Sequence, residues 1–449
     1  MVLLRSLKNI FSIPELTRKI LFTLGVLIVF RLGSNIPVLG VDVEALAELM
    51  KRTTTLGGLL KYLDIFSGGS LDKSTIFALG ISPYITSSIM MQMLSMTVPT
   101  FEALAKEGEY GRKIINQYTR YLTLGLSIMY SFAYALFLEN QGFALTPGWG
   151  FRIPFILTLT VGALFVMWLG EQISLFGLGN GSSMLIFAGI VSRFPESFIR
   201  IWTAVFDTHS LPGWQAWLLL AIMIVIIALI IYVEKGERKI PVQYARRVVG
   251  QRVYGGQSTY IPFKINTSGV MPVIFAGAML NIPMVISTLL SYKFEFFKRV
   301  ATEWFNRTGA LFNVTEFLLI IGFSFFYTAL IFNPEELAEN IKKSGGFIPG
   351  IRPGKRTAEF FNYILTRVGL VGAIYLACLA IAPNIISAIM GLQSKLQDGS
   401  AQALLGGTSL LIVVGVALEI ASQVESYLIE HRYEGFLSSG RIKNNPRKI

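Results

Sequence analysis

The sequence predicts an all-α membrane protein of ten transmembrane helices in two five-helix halves. Three observations carry that expectation: a charge-poor composition, ten apolar runs of spanning length, and positive charge gathered in alternate connections. Of the 449 residues, 53% are hydrophobic and 15% charged, against roughly 25% charged in soluble domains. A chain this long and this poor in charge presents an apolar surface to lipid as well as a core.

A helix needs about 20 mostly apolar residues to cross the hydrocarbon layer. On that measure the spans fall at 20–38, 76–98, 118–138, 151–173, 184–206, 214–233, 269–290, 311–332, 364–389 and 404–429. The break at 207–213 divides them five and five, into halves 1–208 and 209–449. An odd count in the first half reverses the second, which is the arrangement of an inverted repeat. The first apolar stretch is long enough to span, so no cleavable signal peptide is expected. The N-terminus, the 2–3, 6–7 and 8–9 connections and the C-terminal tail hold two thirds of the 39 lysines and arginines. By the positive-inside rule this places both termini in the cytoplasm.

Several chemistries are excluded by composition. The single cysteine, Cys378, lies in an apolar run and has no intrachain partner. The two histidines, His209 and His431, are far apart in sequence, which argues against a histidine metal site or a Ser-His-Asp triad. The formal charge of +12 taken alone suits nucleic acid or an acidic membrane surface. Its confinement to short connections reads as topology instead. Gly177-Leu-Gly-Asn-Gly181 has the look of a nucleotide loop but follows a membrane helix rather than a strand. Gly354-Lys355 has the end of a P-loop, but Pro349 stands where its first glycine is required. With no nucleotide site, energy must come from a partner.

The segment 56–70, rich in leucine yet glycine-broken at both ends and carrying Lys61 and Asp64, is too short to span. It is either a surface amphipathic hairpin or a re-entrant element within the molecule. Irregular backbone survives at membrane depth only when buried in protein or lining an aqueous cavity.

Motifs spread over nearly the whole chain carry a resemblance. They include Phe30-Arg-Leu-Gly-Ser-Asn-Ile-Pro37, Leu63-Asp-Ile-Phe-Ser-Gly-Gly69, Phe77-Ala-Leu-Gly-Ile-Ser-Pro-Tyr-Ile85 and Ile115-Asn-Gln-Tyr-Thr-Arg120. Further along come Gly177-Leu-Gly-Asn-Gly-Ser-Ser183, Ile186-Phe-Ala-Gly-Ile190, Pro241-Val-Gln-Tyr-Ala-Arg-Arg247 and Tyr254-Gly-Gly-Gln-Ser-Thr259. The last are Gly346-Phe-Ile-Pro-Gly-Ile-Arg-Pro-Gly354, Gly406-Gly-Thr-Ser-Leu-Leu-Ile412 and Tyr433-Glu-Gly435. In this order and spacing the chain resembles the SecY/Sec61-alpha family of protein-translocation channels, in its bacterial or plastid form. Leu39, where a second proline is common, and Met271 before Pro272 are small departures.

The resemblance implies a central hourglass pore between the halves, in the bacterial plasma membrane. It passes unfolded secretory polypeptides and releases transmembrane segments sideways into lipid. It places a pore ring at Ile81, Ile85, Ile186, Ile190, Ile274 and Ile412. Branched aliphatic groups suit such a ring, since they seal by dewetting and yield around a moving chain. It makes 56–70 a plug, including Leu60, Asp64, Phe66, Ser67, Gly68 and Gly69. It puts a lateral gate between spans two and seven, where Ser87, Ser88, Gln92, Asn266 and Thr267 lie, with Ser268 beside them. Interhelical hydrogen bonds in membranes average only about 0.6 kcal/mol, weak enough to open.

The implied partners are SecE and SecG subunits, the SecA motor ATPase, the ribosome, signal-sequence-bearing polypeptides and the lipid bilayer. Arg246, Arg247 and Arg252 suit ribosomal RNA phosphates, and Arg352 matches the family's 8–9 loop arginine. The resemblance implies no cofactor and no catalytic group. A secondary transporter, which also uses inverted repeats and broken helices, is the rival reading. It would need ionisable groups near midplane, whereas the span interiors read as nearly free of them, Glu171 and Glu419 excepted. Ile226 and Ile320 read as lipid-facing.

Overall fold

The computed structural model describes residues 13–46, 67–207, 209, 212–244, 247–249, 252–254, 258–291, 295, 309–390 and 406–441. In chain order the first elements are α1 (Pro14–Gly33), α2 (Ser82–Thr97), α3 (Pro99–Lys106), α4 (Glu109–Asn140), α5 (Trp149–Phe176), α6 (Gly181–Val191), α7 (Phe194–Phe206) and α8 (Gly213–Glu234). The strands β1 (Glu237–Tyr244), β2 (Arg247–Val249), β3 (Arg252–Tyr254) and β4 (Ser258–Lys264) follow. Then come α9 (Met271–Ser291), α10 (Ala310–Ile331), α11 (Pro334–Lys343), β5 (Gly346–Phe347), α12 (Lys355–Ile389) and α13 (Gly407–Arg441).

Each expected span overlaps helix, and six helices among the described residues are long and apolar enough to cross a membrane. They belong to α4, α5, α8, α10, α12 and α13. Two others depart from the expected bounds in an instructive way. The span expected at 76–98 becomes helical only at Ser82, where Pro83 supplies a start with φ already set. The span expected at 184–206 is broken into α6 and α7 around Ser192 and Arg193, just before Pro195. At about 1.5 Å per residue, the 11 residues of α6 reach roughly 17 Å, short of the ~30 Å hydrocarbon layer.

The chain divides into two compact units. The first takes in the described residues up to Arg193 together with those from Val416 onward. Within it α2 packs on α4, α4 on α5, and α5 on both α6 and α1. Glycines make these approaches possible: a Cβ on Gly162 would strike the Ile76 carbonyl, and one on Gly181 the Gly170 carbonyl. A polar seam runs down α4 through Thr119, Thr123, Ser127 and Ser131, all buried. Each hydroxyl donates to a carbonyl of its own helix at 2.7–2.9 Å, so the seam packs without unpaired donors.

The second unit spans Phe194–Gly415. Here α10 packs on α9 and α12. The 6–7 and 8–9 connections add something the helical expectation lacked, a three-stranded antiparallel sheet of order β4-β1-β5. Ile240 pairs with Ile261 and Gln243 with Phe347. β1 alternates, turning Ile240 and Val242 inward. They join Phe263, Ala338, Ile341, Ile348 and Phe361 in a core of the soluble type. Ile226 and Ile320, expected on lipid faces, are instead buried, Ile320 completely. Their helices are apolar all round, so periodicity does not reveal the packed side. Exposed tryptophans Trp202, Trp214 and Trp217 gather around the α7–α8 turn, as in a membrane-interface belt.

Candidate pore, plug and gate residues

The six ring isoleucines are all buried, none more than 8% exposed. The first unit holds four of them. Ile81 is the N-cap of α2 and Ile85 lies one turn on; Ile186 and Ile190 hold the same spacing on α6. Asn180 caps α6, its Oδ1 accepting from the Ser182 amide at 3.1 Å. Ile274 on α9 and Ile412 on α13 belong to the second unit.

Residues 67–81 form turns rather than a spanning helix, yet Ser67, Ser70, Ser74 and Thr75 are all buried. Their polar groups are largely satisfied within the segment and by spans. Ser70 Oγ donates to the Ser67 carbonyl at 2.8 Å, and Thr75 Oγ1 to the Ser70 carbonyl at 3.1 Å. Tyr134 of α4 donates to the Leu71 carbonyl at 3.2 Å. Two arginines hold the glycine turn. Arg31 of α1 donates to the Gly68 carbonyl at 3.0 Å, and Arg193, just past α6, to Asp72 at 3.3 Å. Gly68 and Gly69 have φ of +69° and +90°, the left-handed region. A Cβ on Gly68 would sit 2.6 Å from the Gly189 Cα. Of the expected plug residues, Ser67, Gly68 and Gly69 are thus placed; Leu60, Asp64 and Phe66 lie outside the described residues.

Arg31, Asp72 and Arg193 were missed by sequence reasoning. For Arg31 and Arg193 the signal was present, since a charged residue inside an apolar span is costly and seldom idle; Asp72 lies between spans and carried no such signal.

The expected gate residues find their partners close at hand. Ser87 donates to the Pro83 carbonyl of its own helix at 2.8 Å, and Gln92 donates to Ser88 at 3.3 Å. Asn266 donates to Glu234 at the end of α8 (2.8 Å), while Thr267 and Ser268 meet Thr328 and Ser324 of α10 at 3.2 and 3.0 Å. The three residues entering α9 therefore tie it to α8 and α10.

Among the basic residues, Arg352 is exposed on the turn between β5 and α12, its carbonyl accepting from Thr357 Oγ1 at 3.0 Å. Arg247 and Arg252 lie on the β2–β3 ladder, where Arg247 pairs with Tyr254 and Arg252 with Val249. Arg246 lies outside the described residues. In the 2–3 connection, Glu102 of α3 is held below the usual carboxylate range by the hydrogen bond from Lys106.

The expectation that only Glu171 and Glu419 break the apolar interiors needs correction. Glu316 of α10 is buried, at 2% exposure, a single carboxylate that hydropathy averaging over a span conceals. It lies six residues into its helix, about 9 Å from the end, rather than at mid-span. Glu171 forms a forked ion pair with Arg120 of α4 at 2.9 and 2.7 Å, a link between α4 and α5.

Together these features define a polytopic helical membrane protein with irregular backbone buried at membrane depth. Residues 75–421 match the SecY family, and the chain belongs to it. It is 41% identical to the protein translocase subunit SecY of Aquifex aeolicus, over 96% of this chain and 99% of that protein. The same identity holds to the protein translocase subunit SecY of Thermus thermophilus, covering 99% of this chain and all of the other. Its fold matches a solved protein-conducting channel with a TM-score of 0.61 at 16% identity, covering 91% and 92% of the two chains. It also matches Sec61 in a canine ribosome-channel complex from the endoplasmic reticulum, with a TM-score of 0.59 at 14% identity and the same coverage.

Proposed function

We propose that this chain is the central subunit of a protein-translocation channel. It passes unfolded secretory polypeptides across the bacterial plasma membrane and releases transmembrane segments sideways into lipid. The observation that carries the mechanism is the buried, irregular segment 67–81 beside helices too short to cross lipid alone. Such backbone is tolerated at membrane depth only where protein or a water-filled cavity surrounds it. A solved relative is described as having a plug domain that stabilizes the closed state and maintains a membrane seal. The segment 56–70 is the corresponding plug here, with Arg31 bonded to its Gly68 carbonyl and Arg193 to Asp72 just after it.

The halves 1–208 and 209–449 flank the pore, with both termini in the cytoplasm. Ile81, Ile85, Ile186, Ile190, Ile274 and Ile412 are the pore-ring residues, branched aliphatic groups suited to excluding water from a constriction. Ser87, Ser88 and Gln92 on span two and Asn266 and Thr267 before span seven border the lateral gate. The bonds of Asn266 and Thr267 to α8 and α10 let span seven move with its neighbours when the gate parts. SecE braces the two halves, SecG accompanies them, and SecA or the ribosome docks on the 6–7 and 8–9 connections through Arg246, Arg247, Arg252 and Arg352.

Planar-bilayer conductance tests the ring. Replacing several of the six isoleucines with glycine or serine is expected to produce an ion leak at rest. The exposed Ile128, Ile153 and Ile224 serve as controls and are expected to leave the membrane sealed. A sealed membrane after multiple ring substitutions, with the protein folded and inserted, would refute the assignment.

A further inference from the structure

We propose that Pro241 and Pro262 close both free edges of the sheet in the 6–7 and 8–9 connections, so that an unfolded polypeptide arriving at the channel mouth cannot add to it as a further strand. This rests on the translocation function proposed above, which brings unfolded chains to that face. The sheet has the order β4-β1-β5, so β4 is an edge along its whole length. β5 pairs with β1 only at Gln243 and Tyr244. Residues 237–242 of β1 therefore have no strand on that side among the described residues.

An open edge is a template. It presents main-chain amides and carbonyls at alternate residues, and an extended chain laid beside it gains hydrogen bonds whatever its sequence. β4 reads Ser-Thr-Tyr-Ile-Pro-Phe-Lys, and apart from its proline it is rich in the β-branched and aromatic residues that favour strands. Thr259, Tyr260, Pro262 and Lys264 are all exposed.

The register shows which way the prolines point. Opposite residues of an antiparallel pair alternate between those that exchange hydrogen bonds and those that do not. The Ile265 amide donates to the Gly236 carbonyl at 2.8 Å, and these two residues face each other one step beyond the Glu237–Lys264 pair. The bonded class therefore continues through Arg238–Phe263, Ile240–Ile261 and Val242–Thr259. Pro262, opposite Lys239, and Pro241, opposite Tyr260, both fall in the other class. Neither costs the β1–β4 ladder a bond. Each turns its nitrogen away from that ladder, Pro262 to the outer edge of β4 and Pro241 to the side of β1 that β5 leaves open. An incoming strand would find the donor missing at mid-run, between Tyr260 and Lys264 on one edge and between Lys239 and Gln243 on the other. Both prolines are exposed, as are Lys239 and Lys264 beside them, and edge lysines also discourage pairing. Prolines placed on both edges at the register that spares the sheet's own bonds protect it without weakening it.

The test uses the full-length protein in nanodiscs and a short fluorescent peptide of alternating valine and threonine that carries a photo-cross-linker. Pro262→Thr restores an outward amide and is expected to bind the peptide about fivefold tighter than the wild type, the worth of one backbone hydrogen bond. Cross-links should map to residues 258–264. Pro262→Ala restores the same amide without a β-branched side chain and should act in the same direction. Pro241→Thr should do so from the other edge, with cross-links on β1. Thermal unfolding should be unchanged, because no bond of the β1–β4 ladder faces a proline; should one variant fold poorly, the other edge gives the reading. In reconstituted vesicles the double variant should translocate an unfolded preprotein more slowly than the wild type. Peptide binding no tighter in the folded variants, cross-links away from both edges, or undiminished translocation by the double variant would overturn the proposal. So would self-association of the variants without peptide capture, which would make the prolines a guard against a second copy of this chain. Failure of the wild type itself to translocate would instead refute the channel reading and leave the peptide result standing.

Discussion

Replacing Gly68 by alanine probes the seat of the plug more sharply than removing the plug. Gly68 stands at φ +69°, and its added Cβ would lie 2.6 Å from the Gly189 Cα. The obstacle is backbone, so no rotamer change relieves it. A left-handed conformation costs an L-residue about 1–2 kcal/mol, and overpacking adds about 1–3 kcal/mol. Together they come to about 3 kcal/mol, a change of roughly 100-fold in the ratio of displaced to seated plug. The expected readout in planar bilayers is a raised resting conductance, with insertion and yield preserved. Gly142→Ala is the matched control. Gly142 has φ +77° on the α4–α5 turn with nothing within 4 Å of a Cβ, so it carries the strain without the clash and is expected not to leak. If Gly68→Ala seals as well as the wild type while the protein is inserted, the close approach to Gly189 does not hold the plug. A loss of global thermal stability without any leak would refute the reasoning equally, because the strain would then fall on the whole fold.

Three further outcomes are expected. Asp72→Asn or Arg193→Gln removes a partly exposed ion pair, with side chains 39% and 17% accessible, so the effect is about 1 kcal/mol or less. That corresponds to a resting leak raised at most about fivefold, partly reversed in the charge-swapped double variant. Arg352→Glu alters an exposed side chain whose backbone alone accepts the Thr357 hydroxyl; ATP-dependent translocation in reconstituted vesicles should fall while thermal stability stays unchanged. Co-expression with a SecE-like one-span subunit should raise both yield and thermal stability of the purified chain, and equal values without it would count against the proposed brace.

Much of this protein is legible along the chain because lipid imposes a simple rule. Every spanning backbone must satisfy its own hydrogen bonds, so long apolar helices announce themselves by length and composition. That rule suffices for α4, α5, α8, α10, α12 and α13, whose expected bounds overlap the observed helices closely. It works less well for the helices carrying Ile81 and Ile186. There Pro83 delays α2, and the break at Arg193 separates α6 from α7, features that a hydropathy window averages away. Nor does it reveal the sheet that joins the 6–7 and 8–9 connections, because β1 and β5 meet across about a hundred residues of intervening chain.

The sequence by itself determined the membrane class, the ten apolar runs and, through its motifs, the family. It also marked the six isoleucines and the glycine turn. Tertiary structure alone decided which charges serve that turn, by bringing Arg31 and Arg193 to Gly68 and Asp72 from opposite directions in the chain. It decided too that Ile226 and Ile320 are buried, since in a helix apolar all round only its neighbours determine which side packs against protein. The physical reason is the same in each case. Hydropathy is a property of single residues summed locally, whereas a partner's position depends on how distant segments pack.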